Sequence, residues 1–260
     1  MALLTSCSAT DEPALPDMPV IEAWIDSNGH PTVLFTSAIA PDSDGGELAD
    51  IMIRWGKVTI SDGTSEVVLT GKRDGSYFPP YKYFTTEITG TPGCTYTLTA
   101  DFKDMHAEAR CTMPYPTSIQ SITCEPIEGE DSLRSTMLRF IAPVDVPAYY
   151  YITVDGLPAL MGWVEVSQPG VEITHPVYNT KSNNLSTEPF VAQFKRGERH
   201  IVSLHRVAEP VYRFWRAYDD MLMFGGNVLF GGGESLPGNI DGGLGIFSAR
   251  ATSSRFLIVD

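Results

Sequence analysis

Apolar and polar residues alternate with a period of two through most of the chain. Residues 20–25, 32–36, 50–60, 66–69, 83–88, 95–102 and 106–112 are rich in Val, Ile, Thr and aromatic side chains, with Gly, Pro, Asp and Ser between them. That is the pattern of short, half-buried strands separated by turns. About seven strands in roughly 95 residues predict a sandwich of immunoglobulin or fibronectin type. Asp62-Gly63 and Asp74-Gly75 supply turn dipeptides between strand-like runs. Pro114-Tyr115-Pro116 then blocks both ladder and helix, because proline has no N–H to donate, and a domain boundary is expected there.

Strand patterning resumes at 118–124, 135–141, 149–154, 162–166 and 171–174. A polar stretch from His175 to Gly197, with Asn179, Ser182, Asn183 and Asn184, reads as a long loop of the kind that often carries function. A strand at 200–207 leads into one helix, expected over 210–223. Pro210 suits its first turn, and Val211, Phe214, Trp215, Tyr218, Met221 and Leu222 form an apolar stripe at helical spacing, read as a face packed on a sheet. Gly225-Gly226 ends the helix. Residues 225–243 hold eight glycines and read as a second long loop, followed by closing strands at 246–249 and 256–259. The expected fold is therefore all-β: two tandem β-sandwich domains, 20–115 and 116–260, the second with one amphipathic helix, preceded by a tether over 1–19.

Composition narrows the function. Lys and Arg number 18 against 32 Asp and Glu, a net charge of −14, which repels phosphate backbones and disfavours nucleic acid as a partner. With 43% hydrophobic residues the chain is globular rather than disordered.

Reactive motifs are scarce. His30, His106, His175, His200 and His205 show no metal spacing, and His200 and His205, five apart in a strand, point to opposite faces. HExxH, CxxC and GxSxG are absent, and the glycine clusters lack the lysine and helix start of a phosphate loop. The segment Asp42 to Asp50 offers oxygen ligands that calcium can use, but its spacing does not complete an EF-hand and it reads first as a solvated acidic loop. Tyr149, Tyr150, Tyr151, Trp163 and Trp24 read first as core, with a sugar-stacking platform as the alternative. No catalytic residue, metal or cofactor is expected.

Leu4-Thr5-Ser6-Cys7 places a leucine three positions before a cysteine, the arrangement bacterial lipoprotein processing accepts, so Cys7 is the expected lipid attachment, with an N-terminal coil and a stray cysteine as the alternative. The proline- and acid-rich residues 8–19 then form an extended tether of about 37 Å. Downstream, a four-residue loop at 101–104 would set Cys94 opposite Cys111 and allow a cross-strand disulfide; buried free thiols are the alternative, and Cys124 is left odd. The glycine-rich loop, through Asn227, Phe230, Glu234, Asn239 and Asp241, and the polar loop at 175–197 are the candidate partner or ligand surfaces.

Several segments together resemble a family. They are Val20-Ile21-Glu22-Ala23-Trp24-Ile25, Val58-Thr59-Ile60-Ser61-Asp62-Gly63, Gly93-Cys94-Thr95-Tyr96-Thr97-Leu98, Ile201 to Val207 leading into Tyr212-Arg213-Phe214-Trp215, and Asn239-Ile240-Asp241-Gly242-Gly243-Leu244-Gly245-Ile246-Phe247. In this order they resemble a Bacteroidota outer-membrane lipoprotein family of unknown function (domain-of-unknown-function family 4249). The resemblance implies a lipid-anchored, cell-surface binding or accessory protein that assists a TonB-dependent outer-membrane receptor in nutrient uptake, touching the membrane through its lipid alone. It implies no catalytic residue. A fimbrial or adhesive subunit is the rival expectation and a hydrolase the least favoured.

Overall fold

The computed structural model describes residues 18–38, 51–179, 194–224 and 236–260. Among them are seventeen strands and one helix, an all-β sandwich architecture as the alternation predicts. The first eight strands are β1 (Pro19–Asp26), β2 (Thr32–Ser37), β3 (Lys57–Ser61), β4 (Glu66–Val68), β5 (Thr70–Arg73), β6 (Tyr81–Phe84), β7 (Thr95–Phe102) and β8 (Met105–Thr112). After them come β9 (Ile119–Ile127), β10 (Glu130–Ile141), β11 (Ala148–Val154), β12 (Leu157–Val166), β13 (Glu172–Pro176), β14 (Phe194–Lys195) and β15 (Arg199–Val207). Helix α1 (Glu209–Phe224), β16 (Ile240–Asp241) and β17 (Leu244–Ile258) close the chain.

The strands form three sheets. An eight-stranded sheet runs β12-β11-β15-β17-β1-β2-β6-β5, and a five-stranded sheet runs β16-β8-β7-β3-β4. In the third, β9 lies on one edge of β10, with β13 and β14 along the other. β17 is the junction: its first half pairs in parallel with β1 and its second half antiparallel with β15. The eight-stranded sheet thus runs unbroken across the segment Pro114-Tyr115-Pro116, and strands from both ends of the chain share it.

Alternation explains how this sheet supports two cores. On β1 the odd residues Ile21, Ala23 and Ile25 are buried, while Glu22, Trp24 and Asp26 point the other way. Register carries the same division onto Phe247 and Ala249 of β17, Leu204 of β15 and Ile152 of β11. This packed face meets the five-stranded sheet through Val58, Ile60, Tyr96 and Leu98, and the β9–β10 sheet through Ile119, Leu138 and Phe140. Each such side chain contributes about 1.5–3 kcal/mol by leaving water. The opposite face carries α1, which lies against β11 and β17.

Three expectations are corrected. The turn between β7 and β8 has two residues, not four: Phe102 pairs with Met105, and Lys103 takes a left-handed φ of 51°. Cys111 therefore stands opposite Tyr96, Cys94 lies level with Met113, and both thiols are free, as is that of Cys124. The closing strands at 246–249 and 256–259 are one fifteen-residue strand. The end of the glycine-rich stretch is interrupted by a strand: Ile240–Asp241 forms β16, paired with β8, while 236–239 and 242–243 are loop and turn. A Cβ on Gly238, Gly242 or Gly245 would sit 2.3, 2.5 or 1.9 Å from the backbone oxygens of Gly245, His106 and Ile21, so these glycines let three chain segments touch.

Helix α1 begins one residue earlier than expected. The carbonyl of Ala208 accepts hydrogen bonds from Val211 and Tyr212, and Glu209, at the positive end of the helix dipole, pairs with Arg213 one turn on. Val211 and Phe214 are buried, as the stripe predicts, but Met221 is 48% exposed.

Candidate functional site

On the outward face of the eight-stranded sheet lies a cavity of about 490 Å³, within the usual range for small-molecule pockets. Its floor comes from alternate residues of β1 and β17. Parallel pairing places Glu22 beside Ile246, Trp24 beside Ser248 and Asp26 beside Arg250. Tyr151 and Thr153 of β11, Gly156 of the β11–β12 turn, Leu157, Pro158 and Trp163 of β12, Trp215 of α1 and Tyr77 complete the walls.

Arg250 organises the floor. Its Nε and Nη2 donate to the two carboxylate oxygens of Asp26 at 2.7 and 2.5 Å, and its Nη1 donates to the hydroxyl of Tyr151 at 2.8 Å. The guanidinium also lies 5.6 Å from the centre of the Trp24 ring. Burial works against its charge, but Tyr151 and Asp26 together favour the cation and raise its pKa overall. Three of its five N–H donors are thereby used, leaving two.

The aromatic groups divide into supporting and available faces. Tyr151 stacks on His205 at 4.5 Å on the β15 side and meets Trp163 at 4.9 Å on the β12 side, so its ring is enclosed. His205 is fixed by Thr153 and Thr252, both at 2.9 Å, and burial followed by the Arg250 charge pushes its pKa down to about 3, so it stays neutral. The indole N–H of Trp163 donates to Asp219 of α1, tying the helix to the sheet; burial raises the Asp219 pKa against that bond. Trp24, Tyr77 and Trp215 meet their aromatic neighbours at tilted or edge-on angles.

Two polar groups of the lining lack partners. The Glu22 carboxyl makes no hydrogen bond among the described residues. Water reaches it through the cavity, yet the protein around it desolvates the carboxyl and raises its pKa, with Arg250 pulling the other way. Ser248 is 4% exposed, and its hydroxyl is the one buried side-chain polar atom among the described residues without a hydrogen bond.

Trp24, Tyr151 and Trp163 of the aromatic set are brought together here, while Tyr150 is buried in the second core. Tyr149 packs on Tyr212 of α1. The loop candidates fare differently. Asn239 is a structural clamp rather than a free contact: its Nδ2 donates to the Phe247 carbonyl and its Oδ1 accepts from the Phe247 N–H, both at 2.8 Å. Asp241 is exposed but belongs to β16, whose backbone pairs with β8. Asn227, Phe230, Glu234, Cys7 and the acidic segment 42–50 lie outside the described residues. Of the polar stretch from His175, the start is strand β13 and residues 180–193 lie outside the description. His200 contacts Phe194 and His205 stacks on Tyr151, on opposite faces as their spacing requires.

Glu22, Tyr77, Ser248 and Arg250 were not singled out by sequence, and Trp215 was read only as part of the packed stripe of α1. A signal exists for the first strand: in Ile21-Glu22-Ala23-Trp24-Ile25-Asp26 the apolar odd positions claim the core and turn the tryptophan outward beside two carboxylates. Comparison with protein-family models gives no match, and comparison with curated proteins gives none either. The family resemblance therefore rests on the quoted segments alone.

Proposed function

We propose that this is a lipid-anchored outer-membrane binding protein that captures a small ligand in the pocket above β1 and β17 and assists a TonB-dependent transporter in its uptake. The observation that carries this reading is the pocket itself, a preformed aromatic-walled cavity whose floor presents an unpartnered carboxyl, an unpartnered hydroxyl and a fixed guanidinium. Binding fits this set better than glycoside hydrolysis does. Such hydrolysis uses two carboxyl groups across the scissile bond, whereas the lining contributes Glu22 alone and Asp26 is engaged by both of its oxygens. The resemblance of the N-terminal and C-terminal segments to the Bacteroidota lipoproteins supports the cellular setting, with Cys7 as the acylated residue.

The adhesive-subunit reading needs the last strand to exchange between copies. β17 is paired along its length, to β1 and then to β15, which argues against such exchange. Mass spectrometry and affinity purification of the native protein from outer membranes test the proposal. Acyl mass on a chain beginning at Cys7, with a TonB-dependent receptor co-purifying, is the expected result. An unacylated chain retaining residues 1–6, recovered free of any receptor, would overturn it.

A further inference from the structure

We infer that the ligand of this pocket is a neutral saccharide. The inference rests on the binding reading above and specifies what the same site takes.

The polar groups lie in a row along two paired strands. Glu22 and Trp24 face the cavity two residues apart, Ser248 lies across the ladder from Trp24, and Arg250, two residues further on, is held at the cavity by Asp26. At about 3.3 Å per residue, the backbone positions of Glu22 and Arg250 are roughly 13 Å apart along the strands. An indole thus stands between a hydrogen-bond acceptor at one end and two unused guanidinium N–H groups at the other, with a hydroxyl beside it. A sugar ring matches that order: its C–H faces cover an aromatic ring, while hydroxyls around its rim donate to a carboxylate and accept from a guanidinium.

Other ligand classes conflict with particular contacts. An organic cation beside Trp24 would meet the like charge of the Arg250 guanidinium, which lies 5.6 Å from that ring's centre, whereas a neutral ring meets no such repulsion. An anion would meet the Glu22 carboxyl, in a chain whose net charge is −14. A flat heteroaromatic ring sandwiched between Trp24 and Tyr77 would need their planes parallel, whereas they are inclined at 45°. A wholly apolar ligand would cover Glu22 and Ser248 without giving either a hydrogen bond, which opposes its own binding.

The test is tryptophan fluorescence and calorimetric titration of the purified full chain with glucose, galactose, mannose, maltose and cellobiose, and separately with choline and riboflavin. Saturable binding of at least one of the saccharides is expected. Trp24→Ala should weaken it by more than about tenfold through loss of the stacking face, and Ser248→Ala by about fivefold through loss of one hydrogen bond. Ser248→Ala removes a hydroxyl without a partner, so its melting temperature should not fall; weaker binding in a variant as stable as the parent separates a ligand contact from a fold defect. Choline or riboflavin binding in place of every sugar, and abolished by Trp24→Ala, would overturn the saccharide assignment and leave the binding reading intact. Saturable binding by none of the seven probes would overturn the assignment and count against the binding reading as well.

Discussion

The two faces of the β1–β17 pair are made by the same fourteen paired positions and could hardly differ more. On one, Ile21, Ala23, Ile25, Phe247 and Ala249 are all within 2% of complete burial and interlock with a second sheet. On the other, Glu22, Trp24, Ser248 and Arg250 line a cavity and carry an unpartnered hydroxyl and a carboxyl displaced from its ordinary pKa, with Asp26 holding Arg250 from behind. One residue of offset separates positions that hold the molecule together from positions held ready for something else. Pleating therefore lets a strand serve both purposes without compromise between them.

The contrast is sharpest if the packed face is broken first. Phe247→Ala empties a fully buried ring site and should cost about 3–5 kcal/mol, read as a lowered denaturant midpoint. Arg250→Ala, across the pleat, should cost less, about 1–3 kcal/mol, because the ion pair it removes is partly open to the cavity, although Asp26 and Tyr151 lose their partner. Trp24→Ala should cost under about 1.5 kcal/mol, and combining it with Arg250→Ala should reveal a coupling of about 0.5–1 kcal/mol in a double-mutant cycle. The smallest effect carries the opposite sign. Glu22 has a raised pKa in the folded state, so the folded protein holds its proton to higher pH than the unfolded chain does, and stability falls as pH rises from the ordinary carboxyl value of 4.5 through the folded value. Glu22→Gln should then raise the melting temperature slightly at neutral pH and flatten that part of the pH profile. A melting temperature that drops instead would mean Glu22 contributes to the fold rather than only to the cavity.

Local order was legible in the chain, and long-range order was not. Period-two runs located β1, β2, β7, β8, β11 and β15, and helical spacing located α1, because those signals come from each segment's own burial pattern. The parallel pairing of Val20 with Leu244 left no comparable trace. Two readings failed for local reasons. The β7–β8 register turned on whether Lys103 enters a left-handed turn, which asparagine or glycine would have announced and lysine does not. The glycines of 238–245 signalled close chain contact as well as freedom, and composition alone does not distinguish the two. The pocket was half visible: Trp24, Tyr151 and Trp163 were singled out as a possible platform, whereas Ser248 and Arg250 acquire meaning only from the strand beside them.

The bidentate bond between Asp26 and Arg250 joins positions 224 residues apart. Closing so wide a span is slow, since the entropy of the intervening chain is lost before any contact repays it. Until β17 arrives, β1 and β15 each have an open edge with unsatisfied amides, an invitation to other extended chains. A nascent molecule of this design should depend on chaperones until its final strand slots home, and refolding yield should fall steeply as protein concentration rises.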